Sequence, residues 1–278
     1  MLVWRKLSSA KWEDAWLERL GHIDPQRIVI TGFPGAKTIR IEVYGLDKKS
    51  ADQLVKRFGG QLRTLKKQNF AAENFAPHLP LRIRGRLVIV RSEKERTKHS
   101  VKFGSGNCLV VPAAMAFGTG DHATTATCLR FLCDVAAAQS SPWDALDLGT
   151  GTGILALAAR TLGARCVDAF DFDPACITAT RHNAKLNKVK LNSVQKIDVT
   201  KWSPARTWQV ITANLYSEIL ISAAPQIARA LAPGGTLILS GILREQSAGV
   251  IAAFRAQNFA VKKNTRRGKW VTLLTRKI

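Results

Sequence analysis

Three stretches of the chain carry residue types and spacings that chemistry can use. The first is Asp147-Leu148-Gly149-Thr150-Gly151-Thr152-Gly153, with glycines at alternate positions. Glycines so placed let the backbone bend tightly and let a ligand lie against it. The second is Asp171, which closes Cys166-Val167-Asp168-Ala169-Phe170-Asp171. An acid about twenty residues after such glycines reaches ribose hydroxyls in nucleotide-binding βαβ units. The third is Asn214, after the run from Trp208 to Ala213. Polar residues at strand ends are where open α/β sheets hold ligands. The expected ligand therefore carries a ribose. The dinucleotide fingerprint is G-x-G-x-x-G, whereas the spacing here is G-x-G-x-G and Ile154 occupies the later glycine's place. A nicotinamide oxidoreductase fails on that spacing.

The elements around these residues follow from periodicity. Ala145, Leu146 and Leu148 predict a short strand before the turn. Ile154, Leu155, Ala158, Ala159 and Leu162 predict the helix after it, with Gly163 at its C-terminal end. Asp173-Pro174 reads as N-cap and first residue of the next helix. Asp198 ends a third strand. A helix from about Ile219 to Leu231 must start late or kink at Pro225. Thr236 to Leu243 is a buried strand. Phe259 to Lys263 and Trp270 to Thr275 form a hairpin across Thr265-Arg266-Arg267-Gly268.

Upstream, residues 1–67 form a separate pattern. Strands are expected at Leu2 to Leu7, Arg27 to Thr31, Ile39 to Val43 and Gln61 to Lys66. Helices are expected at Trp12 to Leu20 and at Asp47 to Phe58, the second stopped by Gly59-Gly60. The order β-α-β-β-α-β is the ferredoxin-like arrangement. It carries no catalytic constellation, and its Trp and Phe residues are expected in the core. Residues 68–105 read as a linker with short strands at Leu87 to Val90 and, just beyond it, Cys108 to Val111. The charge run from Arg91 to Lys102 reads as a solvated loop, with a nucleic-acid contact as the alternative.

Composition bounds the setting. The 278 residues are 46% hydrophobic, enough for a buried core, and no apolar run approaches a membrane span. Five cysteines without C-x-x-C spacing suggest reduced thiols in a cytoplasmic protein and no metal site. The formal net charge of +22 attracts polyanions, RNA above all, and does not identify a reaction.

One more segment is the most specific. Ala116-Phe117-Gly118-Thr119-Gly120-Asp121-His122-Ala123-Thr124-Thr125 reads as a ligand loop capped onto a helix that carries Leu129, Leu132 and Val135. The turn, with its leading acid and the acid after the next strand, resembles methyltransferases that use S-adenosylmethionine. Phe117 to Thr125, Ala213-Asn214-Leu215, Pro233-Gly234-Gly235, Ser240-Gly241-Ile242-Leu243 and Lys269 to Leu274 together resemble the ribosomal protein L11 methyltransferase family. The resemblance runs from about residue 70 to the end, and Pro112-Ala113-Ala114 stands where the family has Asp-Pro-Gly.

That resemblance implies an α/β fold: a Rossmann-like methyltransferase sheet with a terminal antiparallel hairpin in residues 106–278, plus the small N-terminal ferredoxin-like α+β domain. It implies S-adenosyl-L-methionine as cofactor, with Thr125, Gly149, Gly151, Asp171 and Asn214 as its contacts. Asn214 is also the expected catalytic residue, orienting an attacking amine. The implied reaction is N-methylation of lysine or N-terminal amines of a ribosomal protein, with residues 1–67 recognising it. A monomer is expected, with ribosomal RNA as a further contact of the basic surface. Two alternatives stay open on the sequence: methylation of RNA or another ribosomal protein, and a non-catalytic ribosome-associated binding module.

Overall fold

The computed structural model describes residues 2–9, 12, 15–16, 19–20, 23, 27–31, 38–64, 80–103, 107–112 and 123–278. The chain divides into two compact units, Met1–Ala76 and Pro77–Ile278.

In the first unit, β1 (Leu2–Ser9), β2 (Ile28–Thr31), β3 (Thr38–Leu46) and β4 (Gln61–Thr64) form one sheet in the order β2-β3-β1-β4, antiparallel throughout. Helix α1 (Lys48–Phe58) joins β3 to β4. It starts where the Asp47 carboxylate accepts from the Ser50 amide at 2.9 Å and stops at Gly59. Trp4, Trp16 and Phe58 pack ring against ring, with Trp16 and Phe58 centroids 5.4 Å apart. These aromatics are core, as their apolar neighbours predict. Ala15 and Trp16 are helical, but most of the helix that would complete the ferredoxin-like pattern lies outside the described residues.

The second unit opens with β5 (Leu81–Ile83), β6 (Leu87–Val90), α2 (Glu93–Phe103) and β7 (Cys108–Val110). The three strands make their own small sheet, β6 and β7 in parallel. One feature here differs from the expectation. The charge run after Arg91 is a helix, not a loop. Ser92 Oγ accepts from the Glu95 amide at 3.3 Å, and the Glu95 carboxylate accepts from the Arg91 amide at 2.8 Å. The serine caps an amide that a helix start leaves open, and the Glu95 bond fixes the chain entering it. Just beyond the stretch expected as a linker, β7 is held by a side chain. Asn187 accepts from the Val110 amide and donates to the Val110 carbonyl, both at 2.7 Å, as a strand neighbour would.

The main sheet follows: α3 (Ala123–Ala137), β8 (Asp144–Leu148), α4 (Ile154–Thr161), β9 (Cys166–Asp171), α5 (Pro174–Leu186), β10 (Ser193–Lys196), β11 (Trp208–Asn214), α6 (Ser217–Ser222), α7 (Ala224–Ala230), β12 (Leu231–Leu243), α8 (Ser247–Arg255), β13 (Phe259–Arg267) and β14 (Trp270–Lys277). The strand order is β10-β9-β8-β11-β12-β14-β13. Strands β8 to β12 run parallel, and β14 is antiparallel to both neighbours. Strand β8 is buried along its whole length, as a parallel strand covered on both faces must be. One apolar core packs α3 and α4 on one face, and a second packs α6, α7 and α8 on the other. Pro225 divides the expected single helix: α6 ends at Ser222 and the proline enters the first turn of α7.

From β8 the chain winds outward through β9 to β10, then returns to β11 on the other side of β8. The crevice beyond the carboxyl ends of β8 and β11 is therefore a topological switch point, where such sheets hold ligands. The register pairs Ala213 with Leu148. Asn214 consequently lies beside the glycine turn, though the two are far apart in sequence.

Candidate functional site

A cavity of about 600 Å³ opens at that switch point. Its floor is the glycine turn. Gly149, Gly151 and Gly153 all have left-handed φ values of 69°, 55° and 83°. Gly149 has a second reason to be glycine: a Cβ there would lie 2.2 Å from Leu215 Cδ2. Beneath the turn sits Asp147, fully buried, accepting from Thr212 Oγ1 at 2.6 Å and Thr150 Oγ1 at 2.8 Å. Burial pushes its carboxyl up to about 6 despite those hydrogen bonds.

Asp171 stands at the mouth of the turn. Its Oδ2 accepts from the Gly151 amide at 2.9 Å and its Oδ1 from the Asp173 amide at 3.0 Å. Two bonds leave further acceptor capacity on both oxygens, fixed in direction for a pair of vicinal hydroxyls. Asp198 is on the opposite lining. Thr200 donates its amide at 3.0 Å and its hydroxyl at 2.7 Å to Asp198 Oδ1, and these bonds hold the carboxyl below the usual range. Both acids are therefore acceptors. Cys176 lines the cavity too, but burial, with Asp171 and Asp173 close by, pushes its thiol up to about 11, so it is not a thiolate nucleophile.

Asn214 closes the back. Its Nδ2 donates to Thr125 Oγ1 at 3.4 Å, while its buried Oδ1 has no partner among the described residues. An unpaired buried acceptor costs about 1–3 kcal/mol unless a ligand satisfies it. Thr125 itself is 1% exposed and is not part of the described lining. Its neighbour Thr124 lines the cavity, and Thr125 steadies Asn214. Gly149, Gly151, Asp171 and Asn214 all line the cavity. Residues 113–122, with most of the Phe117 to Thr125 motif, lie outside the described residues.

Sequence reasoning missed the apolar walls: Phe170, Ile197, Val199 and Leu215, with Phe172 and Tyr216 at the rim, 67% and 68% exposed. The exposed aromatics next to Asp171 and Asn214 were the available signal. The described lining contains Asp171 and Asp198 but no Lys, Arg or His, in a chain of net charge +22. Such a lining favours a cationic ligand with a ribose over a phosphate-bearing one. Among the described residues no group of three or more His, Cys, Asp or Glu could hold a metal.

The sheet order, the antiparallel hairpin and this acid-lined crevice define an S-adenosylmethionine-dependent methyltransferase of Rossmann-like fold. The chain belongs to the family described as ribosomal protein L11 methyltransferase (PrmA), whose profile matches residues 4–278. A ribosomal protein L11 methyltransferase from Pelobacter propionicus is 36% identical over 220 residues, 78% of this chain and 69% of that protein. Another, from Bradyrhizobium diazoefficiens, is 40% identical over 173 residues, 60% of this chain and 58% of that protein. The crystal structure of a ribosomal protein L11 methylase from Lactobacillus delbrueckii subsp. bulgaricus has a TM-score of 0.61 at 31% identity. It covers 69% of this chain and 96% of that one.

Proposed function

We propose that this chain transfers methyl groups from S-adenosylmethionine to amino groups of ribosomal protein L11, on lysine side chains or the N-terminal amine. The observation that carries the reading is the buried Asn214 Oδ1, unpartnered among the described residues, in a cavity whose described lining has acids and no bases. The cofactor supplies an activated methyl group when bound. Asp171 accepts from the ribose hydroxyls, and the glycine turn lets the backbone lie against the ligand. Asp198 accepts from the adenine amine. Asn214 Oδ1 accepts an N–H of the incoming amine and so aims its lone pair. That amine attacks only when neutral, from a reference pKa near 10.4. Apolar walls such as Leu148 and Phe170 favour the neutral form by desolvation. Residues 1–67 bind the protein substrate, residues 106–278 carry the chemistry, and the enzyme works as a monomer in the cytoplasm.

The relatives' shared name favours this substrate over RNA or another ribosomal protein. The test is the mass of purified L11 after incubation with the protein and S-adenosylmethionine. Stepwise gain of methyl masses on L11 is expected. A protein that binds the cofactor by calorimetry yet leaves L11 unchanged while methylating RNA sinks the assignment. A chain starting near residue 70 should keep cofactor binding and lose activity on L11.

A further inference from the structure

From Ser247 to Ile278 the chain carries no Asp or Glu. Within that stretch β13 and its turn hold Lys262, Lys263, Arg266, Arg267 and Lys269, all exposed. Strand β13 is the last in the sheet order, so its outer edge has no strand neighbour among the described residues. The register fixes where this edge leads. Arg267 pairs with Trp270, and Trp270 pairs with Leu243 at the carboxyl end of β12. Trp270 and Gly241 both line the ligand cavity. The basic edge therefore ends at the mouth of the acid-lined cavity. Lys263 lies over the Phe131 ring and Lys269 over the Trp270 ring. Lys262, Arg266 and Arg267 enter none of the ion pairs among the described residues.

An edge strand also uses lysine simply to repel other strands. That role needs one or two charges of either sign. Here one sign occupies four of the six positions from Lys262 to Arg267, with arginines, whose planar forks bind phosphate, nearest the cavity. We infer that the β13 edge and its turn bind the phosphate backbone of RNA and deliver an RNA-associated protein substrate to the cavity mouth. The choice of RNA rests on the ribosomal-protein reading above. The binding itself involves neither cofactor nor methyl transfer, so the two ideas fail separately.

Fluorescence anisotropy with a labelled mixed-sequence double-stranded RNA, over a salt series, tests it. Lys262→Glu/Arg266→Glu/Arg267→Glu should weaken binding by about tenfold or more and flatten the log K against log salt slope by roughly two to three. The control Lys185→Glu/Lys188→Glu/Lys190→Glu makes the same change in net charge on exposed α5 positions and its following turn. It should cost less than about threefold if only screened, distant charge is involved. Equal losses in both variants mean diffuse attraction and overturn the proposal, as does wild-type affinity in the hairpin variant. Hairpin-dependent binding to anionic lipid vesicles without hairpin-dependent RNA binding overturns it too. Calorimetry with S-adenosylmethionine verifies folding. If the triple variant misfolds, Arg266→Gln/Arg267→Gln replaces it, with a slope change of about two expected.

Discussion

The two ends of the main sheet treat their polar groups in opposite ways. At the amino ends of β8, β9 and β11, every acid is locked to a base or an indole. Arg165 grips Asp144 with two bonds of 3.0 Å, and Arg206 lies 3.1 Å from Asp168 and 3.6 Å from Asp144. Trp208 Nε1 donates to Asp168 at 2.8 Å. The Arg165 bonds hold the Asp144 carboxyl below its ordinary range. At the carboxyl ends, Asp171 and Asp198 accept from amides and a hydroxyl, the largely exposed Lys201 ammonium stays 3.9 Å from Asp198, and Asn214 Oδ1 bonds to nothing described. Saturated groups hold strands together. Unsaturated ones, kept in position by rigid neighbours, are available to a ligand.

Breaking the carboxyl end at Asn214 should have the largest effect. Asn214→Ala should lower single-turnover methylation at saturating cofactor on the order of 10²–10³, as loss of a polar transition-state contact does. Cofactor affinity should fall much less. A melting curve excludes unfolding, and a folded variant with near wild-type turnover removes Asn214 from the mechanism. Asp171→Ala comes next. Two charge-assisted hydrogen bonds, each worth about 1.5–3 kcal/mol, are lost, so calorimetry should record at least about tenfold weaker S-adenosylmethionine binding. Unchanged affinity would overturn the ribose assignment.

Asp147 tests the buried floor through pH. Its folded pKa, about 6, lies above the ordinary 3.8. The folded state then holds more protons than the unfolded state between those values. This group's contribution is present at low pH and lost as pH rises through about 6, with a slope approaching about 1.4 kcal/mol per pH unit between the two values. Denaturant unfolding compared from pH 4 to 7 should show wild type losing stability relative to Asp147→Asn, whose neutral amide does not titrate. Parallel curves reject a raised pKa.

The smallest effect is expected at the saturated end. Asp144→Ala should cost about 1–2 kcal/mol of stability, since its partner Arg165 is largely exposed and can turn to water. Cofactor affinity should stay unchanged. A large loss of affinity without loss of stability would erase the contrast between the two ends.

Much of this was legible locally. Apolar runs with period two or 3.6 marked nearly every element, and the glycine turn, Asp171 and Asn214 each stood at a strand end. Errors arose where local signals competed. The charges after Arg91 suggested a loop, but Ser92 and Glu95 supply the helix start. Thr125, which the family resemblance implies as a cofactor contact, is buried on α3 with its hydroxyl toward Asn214.

The sequence by itself determined the elements, the ribose-type turn and the basic chain end, because helix and strand periods, caps and glycine conformations act between near neighbours. Only the tertiary structure decided which ends meet. The return of the chain from β10 to β11 sets Asn214 beside Gly149 and presses Leu215 against that glycine. It also buries Asp147 between Thr150 and Thr212, and gives a protein of net charge +22 a described cavity lining without a base. Strand pairing depends on burying apolar faces across long chain separations, and no local spacing records the order in which those faces come together.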